Sequence, residues 1–458
     1  MEEKIFNRLI ILLIALFLLV RLEYVWTPIS YLWDEAAYIG MADGLMKGLP
    51  YGWIQPSFHE AFFRAPLLTY GIAAIALILK NAEISAKLFM SVISVLSVVV
   101  AYYLGKIIGD KKIGLVSALI LATNPFHLLF SFKILAENLF GLLIILSIVF
   151  LFLSEKNKKY LIAFILVLSL AIYSRYSGVI LIPVVIIALL IFRRDWLKEI
   201  FTSKYFFVSA ILFTLLMIPI LTGAQSQLSE RRGMLSGHYL VYWIPLMGAV
   251  FPFSLYGVWK SKKSKNIFVL VTIVFLLLVG HEFIATRIRY ILFSLPLISI
   301  ITAYGFAQIK NRKLSAQILI LLVVVNGVLG LLLVINSSEP SLLKFPVTLR
   351  DPLGFGEINS EKYESYKIAS LELKKISNPD DVVLSDSCVF VNIYSERACY
   401  WFANKDYLDP VKNLATFVNR TDVKWIYVVD KDALKSLPTN RLTTIYENDF
   451  VGVFELIK

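Results

Sequence analysis

An acid pair, Asp34 and Glu35, follows the first apolar run of the chain, which covers about residues 5–25. The stretch 34–46 that begins with this pair predicts a short amphipathic helix lying at a membrane surface. Carboxylates at such a surface are costly unless water solvates them or a reaction needs them. Two interpretations stay open: carboxylates that do chemistry, or the acids of a solvated helix N-terminus, where they favour the helix dipole.

Isolated arginines beside aromatic or apolar segments are the second feature. Arg64 lies just before Pro66, and Arg287, Arg289 and Tyr290 lie at the start of a late apolar run. A planar guanidinium can donate to two phosphate oxygens at once. The same arginine could instead only anchor the chain to lipid headgroups. These residues are candidates for binding an anionic ligand.

Other titratable residues add weaker signals. Glu137 begins an apolar run, where an intramembrane acid indicates function unless it pairs with Lys133, four residues earlier. His59 and Glu60 could bind a divalent metal ion together with Asp34 or Glu35, since imidazole and carboxylate sets suit several such ions. The secondary candidates are Arg175, His281 and Glu282.

The composition indicates the kind of protein that carries these residues. The chain has 458 residues, of which 58% are hydrophobic and only 17% charged. An ordinary soluble domain is about one quarter charged, so this chain is a polytopic membrane protein. The net charge of +12 would suggest a nucleic-acid ligand in a soluble protein. In a membrane protein, however, Lys and Arg first mark cytoplasmic loops, and we expect no nucleic acid.

Apolar runs long enough to cross a bilayer predict about eleven helices, since a crossing needs about 20 residues. They lie near 5–25, 84–107, 113–131, 134–153, 159–174, 176–192, 204–222, 239–259, 266–283, 288–309 and 314–335. If the shorter run 66–80 does not cross and the N-terminus is cytoplasmic, the basic clusters between crossings fall inside, as the positive-inside rule requires. The acids, histidines and isolated arginines then share the outer face.

Two domains follow from this topology. Residues 1–336 form the membrane domain, with a first outer loop of about 26–83, and residues 337–458 form an extracytoplasmic domain. The tail is richer in charge and predicts a helix over 360–376 followed by short β-strands, which indicates a small α/β domain. Cys388 and Cys399 both lie in it. They could form a disulfide or remain two buried thiols.

In their order and topology, the motifs resemble those of the GT-C membrane glycosyltransferases. They are the acid pair, Arg64-Ala-Pro-Leu, Gly105-Lys-Ile-Ile-Gly-Asp, Asn124-Pro-Phe-His before Glu137, and Arg289-Tyr-Ile-Leu before Pro296. The nearest branch contains the protein O-mannosyltransferases and the bacterial transferase that adds aminoarabinose to lipid A. The resemblance covers about residues 1–310. Arg64-Ala-Pro-Leu replaces the family's Lys-Pro-Pro-Leu, and Glu137 stands where the family often has Asp.

The resemblance implies transfer of one sugar, with inversion, from a polyprenyl-phosphate (dolichyl-phosphate-type) donor on the outer face. Asp34 would be the base, and Glu35 and Glu137 would orient the acceptor or the sugar. The donor phosphate would lie beside Arg64, Arg287, Arg289 and Tyr290. The acceptor (a protein, a lipid or a glycan) would be bound with help from the tail.

A lipid or sugar transporter, such as a flippase, is the main alternative function. A transporter would predict a charged path across the bilayer and internal symmetry between halves, neither of which the sequence contains. A non-catalytic membrane protein would have no reason to collect acids and arginines on one face. An oligosaccharyltransferase would carry a Trp-Trp-Asp acceptor motif, which is absent.

Overall fold

The computed structural model describes residues 3–23, 25, 33–51, 64–223, 247–282, 288–338, 360–401, 423–429 and 441–457. Before residue 339, this described part is helical. Its α-helices are α1 (Glu3–Glu23), α2 (Trp33–Met46), α3 (Leu67–Leu79), α4 (Ala82–Ile108), α5 (Lys111–Thr123), α6 (Pro125–Ser131), α7 (Ala136–Lys156), α8 (Tyr160–Ser174), α9 (Leu181–Phe192), α10 (Arg194–Thr202), α11 (Lys204–Gly223), α12 (Phe251–Lys260), α13 (Lys265–Glu282), α14 (Leu295–Ala307) and α15 (Arg312–Ser338). Short 3-10 helices cover Tyr176–Ile180, Gly248–Val250, Ser261–Lys263 and Ile288–Ser294.

Several of these helices are membrane spans by length and composition. Four helices in the described part qualify outright: Ala82–Ile108, Ala136–Lys156, Lys204–Thr222 and Arg312–Leu332. The bent pair α5 and α6 would be a fifth. Apolar helices of 10–17 residues fill the bundle between them, among them Leu67–Leu79, the short run expected not to cross. The chain is thus a multi-pass helical membrane protein, whereas the number of eleven crossings and the orientation of the termini stay predictions.

The predicted run 113–131 is broken at Asn124. Pro125 has no backbone N–H and disfavours a helical conformation in the residue before it, so Asn124 is extended, with φ −63° and ψ 126°. The Asn124 side chain then caps α6 by accepting hydrogen bonds from the N–H groups of Phe126 at 3.0 Å and His127 at 2.9 Å. The axes of α5 and α6 differ by 62°. After this break, His127 contacts Arg21 of α1, and Ile134 in the following loop contacts Glu35 of α2.

Helices α4 and α5 form a tightly packed hairpin. A Cβ atom on Gly114 would lie 2.5 Å from the carbonyl oxygen of Tyr102, and one on Gly105 would lie 2.9 Å from the Cα of Gly114. Small residues let helix backbones approach this closely. Asp110, between the two helices, caps α5 by accepting from the N–H of Ile113 at 2.8 Å. Gly105 and Asp110 of the sequence motif therefore shape the hairpin.

Helix α2 exists as predicted over 34–46, but its amphipathic character was wrong. An amphipathic helix at a membrane surface would expose one side to water. Instead, residues on several sides of α2 are at most 2% exposed, namely Ala36, Ala37, Met41 and Ala42. They belong to one apolar core with residues of α3, α4 and the tail. A helix that is apolar on all sides is a buried helix. The acid pair is thus carried on an element packed inside the protein.

The tail is an α/β unit. It consists of helix α16 (Ser360–Ile376) and strands β1 (Val382–Ser385), β2 (Ala398–Trp401), β3 (Val423–Val428), β4 (Leu442–Glu447) and β5 (Gly452–Leu456). The sheet order is β2-β1-β3-β5-β4. The pairings of β1 with β2 and β3 are parallel, and those of β5 with β3 and β4 are antiparallel. The predicted helix and three predicted strands are confirmed, and β2 and β4 were missed.

A short helical segment, Cys388–Ser395, connects the tail to α2, with which it is in contact. Cys388 and Cys399 form a disulfide, which settles the alternative left open by the sequence. Lys47, just after α2, donates to Asp43 at 2.6 Å and to Glu396 at 2.9 Å. Lys374 of α16 donates to the other oxygen of Glu396 at 2.6 Å. The tail is therefore docked directly on the helix that carries the acid pair.

Candidate active site

Asp34 forms an ion pair with Arg64. The Nη1 atom of Arg64 lies 2.8 Å from Oδ1 of Asp34, and each side chain is about one fifth exposed. The guanidinium also lies 5.6 Å from the ring centroid of Tyr38, one turn along α2. The hydroxyl of Tyr51 donates to the backbone carbonyl of Arg64 at 3.1 Å, which holds the segment before α3 in place. Two residues predicted to act on one substrate are thus adjacent.

Glu35 points away from Asp34 and is fully buried. One carboxylate oxygen accepts from the backbone N–H of Ile134 at 2.9 Å. The other lies 3.8 Å from the Nζ of Lys133, whose side chain is 5% exposed. These contacts join α2 to the loop before α7. These contacts do not test the expectation that Glu35 orients a substrate. They show that its carboxylate interacts with donors of the protein itself.

Glu137 forms an ion pair with Arg175, whereas the Nζ of Lys133, the alternative partner considered from the sequence, lies 3.8 Å from Glu35. The Nη1 of Arg175 lies 2.5 Å from the Oε1 of Glu137. Helix α7 begins only at Ala136, and Leu135 before it is extended, with φ −126° and ψ 140°. The i, i+4 spacing of a helix therefore does not apply to residues 133 and 137. Arg175, a secondary candidate, belongs to the same site as Glu137.

Tyr38 is influenced by the charges of both ion pairs. The pKa of its hydroxyl is raised, chiefly by burial, and the charges of Arg64, Asp34, Glu137 and Arg175 all act on it. The pKa of Arg64 is also raised: burial alone would lower it, but the nearby Asp34 carboxylate more than offsets that effect. Both ion pairs are therefore close enough to Tyr38 to form one polar site. Tyr38 was not among the site residues predicted from the sequence.

The remaining candidates are described in part or not at all. His59, Glu60 and Arg287 lie outside the described residues. The backbone of Arg289 and Tyr290 belongs to the 3-10 helix Ile288–Ser294, which contacts α7. His281 and Glu282 end α13. The side chains of these four residues are not described, so their predicted roles are untested.

A metal centre finds no support among the side chains that the structure describes. No group of three His, Cys, Asp or Glu residues in this part could hold an ion. Asp34 and Glu35, the expected partners of His59 and Glu60, are engaged by Arg64 and by Ile134 and Lys133.

A small cleft lies at the Glu137 end of the site. Its lining residues are Ser94, Ser97, His127, Glu137, Asn138, Gly141, Leu142, Leu292 and Pro296. Five of these nine residues are polar, which is unusual within an apolar bundle. The arrangement as a whole offers a carboxylate that can take a proton, guanidinium groups that can bind an anion, and a polar recess beside them.

Comparison of the sequence with known proteins gives one family. Residues 63–222 match the family model described as dolichyl-phosphate-mannose-protein mannosyltransferase. This range contains Arg64, Glu137 and Arg175 but not the acid pair. No curated protein matches the chain.

Solved structures give broader likenesses. ArnT from Cupriavidus metallidurans, bound to undecaprenyl phosphate, superposes with a TM-score of 0.71 at 12% identity, over 96% of this chain and 97% of that one. An oligosaccharyltransferase from Archaeoglobus fulgidus gives 0.60 at 13% identity, over 91% and 69%. The arabinofuranosyltransferase AftD from Mycobacteria gives 0.56 at 11% identity, over 99% and 40%.

These neighbours share the GT-C fold, and their names are those of glycosyltransferases. Other structures of the Archaeoglobus protein hold a dolichol-phosphate with an inhibitory peptide, or Zn and sulfate. At 11–13% identity, the likeness to them establishes the fold. The predicted GT-C fold with a small C-terminal sheet domain is confirmed.

Proposed function

We propose that this chain, a GT-C membrane protein related to ArnT and to the O-mannosyltransferases, transfers one sugar from a polyprenyl-phosphate donor to an acceptor hydroxyl. The observation that carries the proposal is the contact of Asp34 with Arg64 at 2.8 Å, since the proposed reaction needs a carboxylate base and a phosphate-binding cation side by side. Two ion pairs around Tyr38 make the surrounding surface suitable for a polar sugar. Structural neighbours that hold undecaprenyl phosphate or dolichol-phosphate support the donor class.

The reaction is a single displacement. The acceptor oxygen attacks the anomeric carbon, the bond from that carbon to the phosphate oxygen breaks, and polyprenyl phosphate leaves. The acceptor proton passes to Asp34, and Arg64 stabilises the charge that develops on the phosphate. Removing one such electrostatic donor from an active site typically costs about 3–4 kcal/mol. The configuration at the anomeric carbon is inverted because no covalent enzyme intermediate forms.

The ion pair also couples donor binding to catalysis. A phosphate that binds Arg64 competes with Asp34 for the guanidinium. The carboxylate is then released toward the acceptor hydroxyl at the moment when the donor is in place. Arg289 and Tyr290 lie in the 3-10 helix Ile288–Ser294, which contacts α7, the helix that carries Glu137 in its first turn. Together with Arg287, they are proposed to complete the phosphate site.

The proposed topology places this chemistry outside the cytoplasm. The N-terminus is cytoplasmic, residues 1–336 form the catalytic membrane domain, and residues 337–458 form the extracytoplasmic domain that helps to bind the acceptor. The acceptor is a hydroxyl of a protein, a lipid or a glycan. The docking of the tail on α2, beside the acid pair, is consistent with this role.

The test is to incubate the purified protein in lipid nanodiscs with a panel of polyprenyl-phosphate sugars and to measure the released polyprenyl phosphate. We expect one or a few donors to be consumed, with faster release when a membrane extract supplies an acceptor. A diphosphate-linked oligosaccharide is the matched control and should not be consumed. Consumption of that control alone, or of no donor with the extract present, would overturn the proposal.

A further inference from the structure

Arg21, in the last turn of α1, is a fully buried cation whose described partners are all neutral. It is 1% exposed. Its Nε donates to the Oγ of Ser94 at 2.7 Å, Nη1 donates to the carbonyl of Phe17 at 2.6 Å, and Nη2 donates to the carbonyl of Ala122 at 3.1 Å. A buried charge that no carboxylate accompanies within the described residues is costly. This cost suggests that Arg21 has a role besides packing.

The fourth partner of Arg21 defines the chemical form of His127. The Nη2 of Arg21 lies 3.0 Å from the Nδ1 of His127. A guanidinium has only donors, so Nδ1 must be the acceptor, and the proton of the neutral ring must lie on Nε2. His127 is 9% exposed, and no other described residue contacts its ring through a hydrogen bond. Its Nε2–H is thus a fixed donor in a residue that lines the polar cleft.

Asn138 and Glu137 supply acceptors in the same cleft. The amide nitrogen of Asn138 donates to the carbonyls of Phe130 at 2.5 Å and Lys133 at 3.3 Å. Carbonyl oxygens only accept hydrogen bonds, so the amide group of Asn138 must direct its nitrogen toward these two carbonyls. Its oxygen, on the other side of the amide, is then an acceptor. The charge of Glu137 is already offset by Arg175. The cleft therefore combines one donor with acceptors, close to the positive charge of Arg21.

We propose that this cleft is a subsite for one hydroxyl group of the transferred sugar, with His127 donating to the hydroxyl oxygen and Glu137 or Asn138 accepting its proton. Arg21 is a positioning residue that fixes the His127 tautomer. The inference rests on the proposed function and adds a selectivity to it. A hydroxyl both donates and accepts, as the cleft requires. An ammonium group would face the Nε2–H donor and the charge of Arg21, so an amino sugar is excluded at this position.

The test uses polyprenyl-phosphate donors that differ by one substituent. The panel is mannose, glucose, galactose, arabinose and 4-amino-4-deoxyarabinose, followed by the monodeoxy analogues of whichever neutral donor is consumed. His127→Leu removes the donor group, and His127→Gln can keep an N–H near the Nε2 position. We expect His127→Leu to lower kcat/KM about tenfold with the parent donor, the value of one hydrogen bond. With the monodeoxy donor that lacks the hydroxyl bound in the cleft, His127→Leu should have no effect on kcat/KM. His127→Gln should restore most of the loss.

Two controls separate a positioning role from general damage. Ser147→Ala, which removes a buried hydroxyl bonded only within α7, should not discriminate among the donors. Arg21→Gln should shift the donor preference in the same direction as His127→Leu, and if that variant does not fold, the His127 pair decides alone. Equal losses with every monodeoxy donor would overturn the subsite. So would a wild-type protein that consumes only the amino sugar. If the wild type consumes no donor at all, the proposed function itself fails.

Discussion

The carboxylate of Glu35 accepts a hydrogen bond from the backbone N–H of Ile134 at 2.9 Å, across 99 residues of sequence. Its neighbour Asp34 instead pairs with Arg64. Consecutive residues of a helix project about 100° apart, so an acid pair in sequence need not act as a pair in space. Asp34 belongs to the partly exposed polar surface, whereas Glu35 holds the loop that leads to Glu137.

Glu35→Gln should destabilise the protein. The variant removes the negative charge from a fully buried position beside Lys133, and breaking a buried pair by neutralising one partner costs about 3 kcal/mol or more. Thermal unfolding in nanodiscs measures the effect. Glu155→Gln is the control, since Glu155 pairs with Arg193 at the surface and should contribute at most about 1 kcal/mol. Equal melting temperatures for Glu35→Gln and the wild type would contradict the anchoring role.

Part of this site could be predicted from the sequence. Asp34, Arg64 and Glu137 were selected because charged residues beside apolar runs are rare and usually functional. Their partners could not be predicted. Contacts such as Glu35 with Ile134 depend on how distant helices pack, and the pairing of Glu137 depends on the extended backbone at Leu135.

The fold was predictable to a similar extent. Apolar runs gave the helices, but the run 113–131 was read as one helix although Asn124-Pro125 carried the signal for a break. Helix α2 was placed at the surface because its first residues are acidic. The apolar residues all around it indicated burial. Strand β4 was missed because most of its residues are exposed and it gives no strong hydrophobic pattern.

Arg64→Ala should weaken the binding of the donor, since its guanidinium is proposed to hold the phosphate. We expect a loss of about 10- to 100-fold in affinity for a polyprenyl-phosphate sugar, which corresponds to about 1.4–2.7 kcal/mol. Arg64→Lys should lose less, because it keeps the charge but not the planar fork. Binding is measured by displacement of a fluorescent polyprenyl phosphate. Arg193→Ala serves as the matched loss of one charge elsewhere, and donor affinity that is equal in both alanine variants would exclude the phosphate role.

The contact of Glu396 with Lys374 and Lys47 should weaken in acid. Partial burial would raise the pKa of Glu396, but the two lysines lower it below its ordinary value. A lowered folded-state pKa means that the stabilisation is present above the unfolded pKa, which is about 4.3, and is lost as the pH falls through the folded value. Because the side chain is 38% exposed, the effect is at most about 1 kcal/mol.

The measurement for this contact is thermal unfolding of the wild type and of Glu396→Gln at pH 7 and at pH 3.5. A difference between the two proteins is expected at pH 7 and should be smaller at pH 3.5. Glu372→Gln, which interrupts an exposed pair within α16, is the control for the loss of a tail carboxylate. A Glu396→Gln effect that is as large at pH 3.5 as at pH 7 would show that charge is not the cause.

The disulfide between Cys388 and Cys399 should stabilise the tail and report its location. Replacing both cysteines by serine should cost about 2–4 kcal/mol, within the usual range for a removed disulfide. Hydrogen exchange of the tail strands measures the loss. Disulfides persist in oxidising compartments, so alkylation of intact cells with a mass-shifting maleimide should leave both cysteines unmodified unless a reductant is added first. Modification without reductant would contradict the disulfide.

The central claim is that Asp34 is the base of a sugar transfer from a polyprenyl-phosphate carrier. The most direct measurement is the rate of polyprenyl phosphate release by Asp34→Asn, with a donor that the wild type consumes and with its acceptor present. Loss of a general base typically lowers the rate by 10²–10⁴-fold, and we expect at least 10²-fold at unchanged folding and membrane insertion. Release by Asp34→Asn at the wild-type rate would contradict the account.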